Sequence, residues 1–151
     1  MNDLLAIPVL AFLASLVLTP VVRQLAERLG IVDKPDAHRK MHERAIPLCG
    51  GLAVYLSVLT AVGCAIILPN AWADHLRSNQ WSMTGLFLSA TVLCITGVID
   101  DWKTLSGKKK LIGQIAAVLI LVGMGFKIES IRIFHWQIDL GILSWPFTCL
   151  W

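Results

Sequence analysis

Residues 81–103 read WSMTGLFLSATVLCITGVIDDWK: nineteen residues without a charge, then Asp100 and Asp101 side by side, then Lys103. At 1.5 Å per residue such a run approaches the ~30 Å hydrocarbon thickness of a bilayer. Two carboxylates at a membrane edge are costly, and as neighbours they repel by about 3 kcal/mol at ~6 Å and an effective dielectric of ~20. A divalent cation or a strongly basic ligand site relieves both costs. The stretch therefore predicts a membrane helix that ends at a polar site.

The rest of the chain agrees with the first half of that reading. Hydrophobic residues make up 56% of the 151 and charged ones 15%, which argues against a soluble domain. Apolar runs at 4–22, 50–68, 81–99 and 111–126 predict four spans, the last extended by the stems of Lys109 and Lys110. Ala26 to Leu29 continue the first helix and Gly30 is placed to end it. Ile131, Ile133, Ile138, Leu140 and Ile142 alternate about Phe134 to Gln137, which predicts a short outer β-hairpin. At 142–151 a further apolar run begins, with Pro146 placed for a first helical turn. The expected fold is thus all-α integral membrane: four transmembrane helices, a beginning fifth and the hairpin. We expect an N-terminal fragment of one multispanning domain, inserted in the membrane but inactive alone.

Charge orients it. Ten of the thirteen basic residues lie in the segments 23–48 and 103–110, and only Arg77, Lys127 and Arg132 lie elsewhere. The positive-inside rule makes both basic loops cytoplasmic, the N-terminus external, and the Asp pair cytoplasmic. Trp72 and Trp81 fall where interface anchors are expected. Cys49, Cys64, Cys94 and Cys149 lack metal-ligand spacing and are read as buried small hydrophobes. His38 and His42 are four apart, but the intervening cations and Pro35 disfavour a zinc helix. Gly123 and Gly125 read as helix packing, and Gly50-Gly51 as a place where backbone or ligand comes close. No glycine-rich nucleotide loop occurs, and nothing suggests nucleic acid.

The two basic loops together offer Asp33, Asp36, Arg39, Lys40, His42, Arg44, Asp100, Asp101, Lys103 and Lys110, with Gln114 one turn into the fourth helix. Carboxylates among cations suit a substrate with several phosphates and Mg²⁺, which takes one or two carboxylates with phosphate oxygens and water. At a membrane edge that means a lipid phosphate and a water-soluble nucleotide. A cation-coupled transporter is the alternative from another class, and it needs carboxylates nearer mid-membrane. A non-catalytic remnant is a third.

Asp33-Lys34-Pro35, Arg39-Lys40, His42, Pro47-Leu48 and Gly50-Gly51 resemble the first cytoplasmic signature of the polyprenyl-phosphate N-acetylhexosamine-1-phosphate transferases. Gly97 to Asp101, then Lys110-Leu111 and Gln114, resemble the second. The resemblance implies a bacterial inner-membrane phosphoglycosyltransferase that moves a sugar 1-phosphate, by expectation GlcNAc 1-phosphate, from a UDP-N-acetylhexosamine to undecaprenyl phosphate. UMP is released, Mg²⁺ is required with Mn²⁺ as the substitute, and a homodimer is allowed. Asp100 and Asp101 match the paired aspartates assigned to metal or lipid phosphate, their division of labour open. Arg39, Lys40, His42, Lys110 and Gln114 match substrate-binding positions. The sugar, the polyprenol length and the pathway within envelope polysaccharide synthesis stay open.

Overall fold

The computed structural model describes residues 2–33, 46–67, 77–133 and 136–150. In chain order it has α1 (Asn2–Leu29), β1 (Val32–Asp33), β2 (Ile46–Pro47), α2 (Gly50–Ile67), α3 (Gln80–Lys103), α4 (Gly107–Gly123), β3 (Ser130–Ile133), β4 (Trp136–Asp139), a 3₁₀ turn (Gly141–Leu143) and α5 (Ser144–Leu150). Residues 1–78 and 94–106 form one unit, and 79–93 with 107–151 form another.

In the first unit α1 packs along α2. The buried residues of α2 are Ala53, Ser57, Ala61 and Ala65, every fourth position and all small. Without bulky side chains between them two helix backbones approach closely, the usual basis of association where lipid is as apolar as leucine. Ser57 satisfies its hydroxyl on the Ala53 carbonyl at 2.6 Å. α1 stops as expected at Gly30, whose φ of +70° only glycine adopts freely. The Ile31 N–H bonds the Ala26 carbonyl at 2.8 Å and the Gly30 N–H bonds Glu27 at 3.2 Å, a Schellman ending. Ile31 and Ala26 then join Val22, Cys49 and Ala53 in the buried core, with Leu48, Leu52 and Val98 against it. β1 and β2 pair antiparallel, Val32 opposite Pro47 and Asp33 opposite Ile46.

In the second unit α4 ends in the same way. Gly125 has φ +99°, and Phe126 N–H bonds the Leu121 carbonyl. Of the glycines there, the packing one is Gly85: a Cβ on it would overlap the Cβ of Met124, whereas one on Gly123 would meet open space. The expected hairpin forms, with Ser130 opposite Asp139 and Ile131 opposite Ile138. Pro146 lies in the first turn of α5. The Thr148 hydroxyl accepts the Ile128 N–H at 2.9 Å and donates to the Ser144 carbonyl.

Three helices among the described residues are long and apolar enough to cross a membrane: Ala6–Leu29, Gly50–Ile67 and Gln80–Lys103. The expected fourth span is not confirmed. α4 holds 17 residues, begins with Lys108 to Lys110 in its first turn, and is stopped by the glycine ending. Large apolar side chains face outward along the long helices, Phe12 62% and Val17 65% exposed among them. Such surfaces belong against lipid. The protein is a mostly helical membrane protein.

Candidate functional site

The Asp pair occupies the last turn of α3, three and two residues before its end at Lys103. That is the edge of the span, not the middle that ion coupling needs. The helix ends here without glycine. Thr104 takes φ +45°, and its N–H bonds the Asp100 carbonyl at 2.8 Å. The next free N–H, on Leu105, is taken by the Asp100 side chain: Oδ1 accepts it at 2.9 Å. Asp100 thus terminates α3 with both its carbonyl and its carboxylate. Lys103 holds its ammonium 4.9 Å from the centre of the Trp102 ring.

Asp101 turns elsewhere. Its Oδ2 accepts the N–H of Cys49 at 2.8 Å, across 52 residues of sequence. Cys49 stands just before α2, its carbonyl accepts the Leu52 N–H, and its φ of 67° is left-handed. A non-glycine residue in that region costs roughly 1–3 kcal/mol and persists only where its surroundings fix it. Burial pushes the Cys49 thiol pKa up, and the Asp101 charge and hydrogen bond push it further. The carboxylate also lies at the start of an 18-residue helix, where the dipole favours negative charge.

The root of the first loop therefore meets the second motif. The ladder at Asp33–Ile46 closes the loop base, Leu48 N–H bonds the Ile31 carbonyl at 3.1 Å, and Cys49 reaches Asp101. Beside that root a groove of about 390 Å³ is lined by Thr19, Val22, Arg23, Ile46, Pro47, Leu48, Gly50 and Ala53. Its lining suits a hydrocarbon chain better than a nucleotide. Arg23 bonds Glu27 at 3.1 Å.

Arg39, Lys40 and His42, with His38, Asp36, Arg44 and Trp72, lie outside the described residues. Lys110 and Gln114 sit four apart on α4, on one helix face, in the second unit. Among the described residues no backbone comes close to Gly50 or Gly51: a Cβ on either would meet nothing there within 4 Å. Of the cysteines described as buried hydrophobes only Cys49 is buried, while Cys64 and Cys94 are partly so and Cys149 is exposed. Sequence reasoning missed the role of Cys49, because the group that matters is its backbone N–H. A residue before Gly50-Gly51 at a helix start was the available signal.

Among the described residues no three His, Cys, Asp or Glu side chains gather as a metal site. A carboxylate pair does fit Mg²⁺ when phosphate oxygens and water complete the shell.

The sequence profile described as "Glycosyl transferase family 4" matches residues 83–151. The chain is 29% identical over 145 residues to a "Probable undecaprenyl-phosphate N-acetylglucosaminyl 1-phosphate transferase" of Bacillus subtilis, covering 95% of this chain and 37% of that protein. It is 37% identical over 107 residues to a decaprenyl-phosphate N-acetylglucosaminephosphotransferase of Mycobacterium tuberculosis, covering 71% of this chain and 26% of that one. An undecaprenyl-phosphate alpha-N-acetylglucosaminyl 1-phosphate transferase of Yersinia pestis is 28% identical over 141 residues, 91% of this chain and 35% of its own. The chain thus spans only about a quarter to a third of these relatives' length. No solved structure matches it. The resemblance carried by the two loop signatures holds, and the chain is a relative of the polyprenyl-phosphate N-acetylhexosamine-1-phosphate transferases.

Proposed function

We propose that this chain contributes the acidic half of a site that transfers N-acetylhexosamine 1-phosphate, GlcNAc 1-phosphate first, from a UDP-sugar to undecaprenyl phosphate. One observation carries the reading: the Cys49–Asp101 hydrogen bond ties the first signature to the second, so one place holds carboxylates and the root of a cationic loop. The site faces the cytoplasm of the bacterial inner membrane, on the side the basic loops favour. The pathway is envelope polysaccharide synthesis.

In the reaction an oxygen of undecaprenyl phosphate attacks the sugar-bearing phosphorus of the UDP-sugar. The bond from that phosphorus to the bridging oxygen breaks, UMP leaves with the electron pair, and the sugar 1-phosphate becomes part of a lipid diphosphate. No net redox change occurs. Asp100 and Asp101 would hold Mg²⁺, which when bound neutralises charge on the phosphates. Arg39, Lys40, His42, Lys110 and Gln114 would bind the phosphates and the nucleotide, cations lowering the barrier as charge shifts toward UMP.

The test is UMP release from UDP-N-acetylglucosamine with a short polyprenyl phosphate and Mg²⁺, using the full-length polypeptide. Asp100→Asn removes a charge with little change of volume and should lower turnover about 100-fold or more. Turnover within a few-fold of the parent, or undiminished turnover after chelation of divalent ions, would sink the reading.

A further inference from the structure

We propose that the groove beside the loop root takes the phosphate-proximal isoprene units of the polyprenyl phosphate acceptor, with Arg23 at its rim meeting the phosphate. The proposal rests on the transferase reading above and gives one of the two substrates its seat.

The groove lies in the first unit, where the C-terminal part of α1 meets the start of α2. Its walls are apolar: Val22 from α1, Ala53 from α2, and Ile46, Pro47 and Leu48 from the loop root. Among the described residues only Thr19 and Arg23 bring polar side chains to it. That lining offers a nucleotide no aromatic ring and few of the polar groups that would fix a base. Gly50 keeps the floor open, since a Cβ there would meet nothing within 4 Å among the described residues. About 390 Å³ falls near the lower end of the roughly 300–1,000 Å³ usual for small-ligand sites, so a short length of chain fits and the rest of a polyprenol stays in the bilayer.

The position of the groove along α1 decides what kind of molecule it suits. Thr19 and Val22 belong to the end of the first apolar run, and Arg23 is the first charge after it. The groove therefore passes from hydrocarbon depth to headgroup level, on the side of the membrane that the basic loops favour. An amphiphile with one apolar tail and an anionic head is the complement. The bond from Arg23 to Glu27 runs through Nε, one of five guanidinium N–H donors, and both side chains are exposed, so that pair competes weakly with a phosphate. A guanidinium also meets phosphate oxygens through two parallel hydrogen bonds. Continuity with the second motif points the same way. Leu48 and Gly50 line the groove and flank Cys49, whose N–H is bonded to Asp101. A chain seated here has its head at the loop root that Asp101 holds. A phospholipid suits the groove less well, because its second acyl chain finds no counterpart in a single groove of this size.

The experiment uses the full-length polypeptide in detergent and a farnesyl phosphate that carries a diazirine on the isoprene unit next to the phosphate. Irradiation and peptide mapping should place the label within residues 19–23 and 46–53. Excess undecaprenyl phosphate should suppress that labelling about tenfold or more, whereas phosphatidylglycerol at the same concentration should leave it within about twofold. Gly50→Leu fills the floor and Arg23→Gln removes the cation. Each should raise the KM for undecaprenyl phosphate about tenfold and leave the KM for UDP-N-acetylglucosamine within about twofold. Label found only elsewhere, equal suppression by phosphatidylglycerol, or an unchanged lipid KM in either folded variant overturns the proposal. Arg23→Gln, at an exposed position, keeps the test decisive if Gly50→Leu does not fold. A parent that releases no UMP while its groove is labelled would instead overturn the transferase reading, with the lipid seat upheld.

Discussion

α1 and α3 both stop on a left-handed residue, and they do it by different means. α1 uses Gly30 and closes with backbone bonds alone, from Ile31 to Ala26 and from Gly30 to Glu27. α3 uses Thr104, a β-branched residue that resists φ +45°, and recruits the Asp100 carboxylate to hold Leu105. The first ending is built from local rules and would serve in any helical protein. The second keeps strain and a charged side chain where a simple glycine would have been enough. Strain held by polar contacts at a motif is characteristic of functional sites. Cys49, the other left-handed non-glycine residue among those described, lies at the far end of the Asp101 bond.

Substitutions at three positions bear on that contrast. The largest effect is expected from Gly30→Ala, which puts a Cβ into a left-handed residue and should cost about 1–2 kcal/mol. Thermal unfolding in detergent, followed by helical circular dichroism, should show a lowered midpoint. No change would mean that the α1 ending adapts freely. Next comes Asp100→Ala, which strands the Leu105 N–H and should cost about 1–1.5 kcal/mol, whereas Asp100→Asn keeps an acceptor and should cost under about 0.5. Equal losses for the two would show that charge, and not the cap, carries the stability. The smallest is Thr104→Gly. Relief of the left-handed strain outweighs the entropy glycine adds to the unfolded chain, so a gain of about 0.5–1 kcal/mol is expected. A loss would place the Thr104 side chain in a contact of its own.

Much of this fold could be read from residues. Gly30 closed α1 where its position said it would, the isoleucine alternation became β3 and β4, and Pro146 entered the first turn of α5. Those are local signals, each contained in one turn or one period. The fourth span is not confirmed, because apolar length was counted through Gly125 and Phe126, past the backbone stop that ends the 17-residue α4 at Gly123. Asp100 and Asp101 were legible as a pair because charge beside an apolar run is conspicuous. Their separate partners were not, since a carboxylate bound to a backbone N–H leaves no side-chain pattern. Residues of α1 likewise gave no sign of the groove beside Arg23, which arises only once Ile46 to Leu48 return against that helix.

The small-residue stripe on α2 has a consequence for what sequence change this protein can absorb. Positions 53, 57, 61 and 65 are limited by volume, while Val54, Val58 and Ile66 lie outward, 59%, 42% and 40% exposed. Outward positions face a solvent that accepts almost any apolar side chain, so drift there is nearly free. Inward positions accept only the smallest, because one added methyl separates two backbones along their length. Hydrophobicity, high along most of α2, therefore carries little information about its partner. Side-chain size, varying with a period of four, carries nearly all of it.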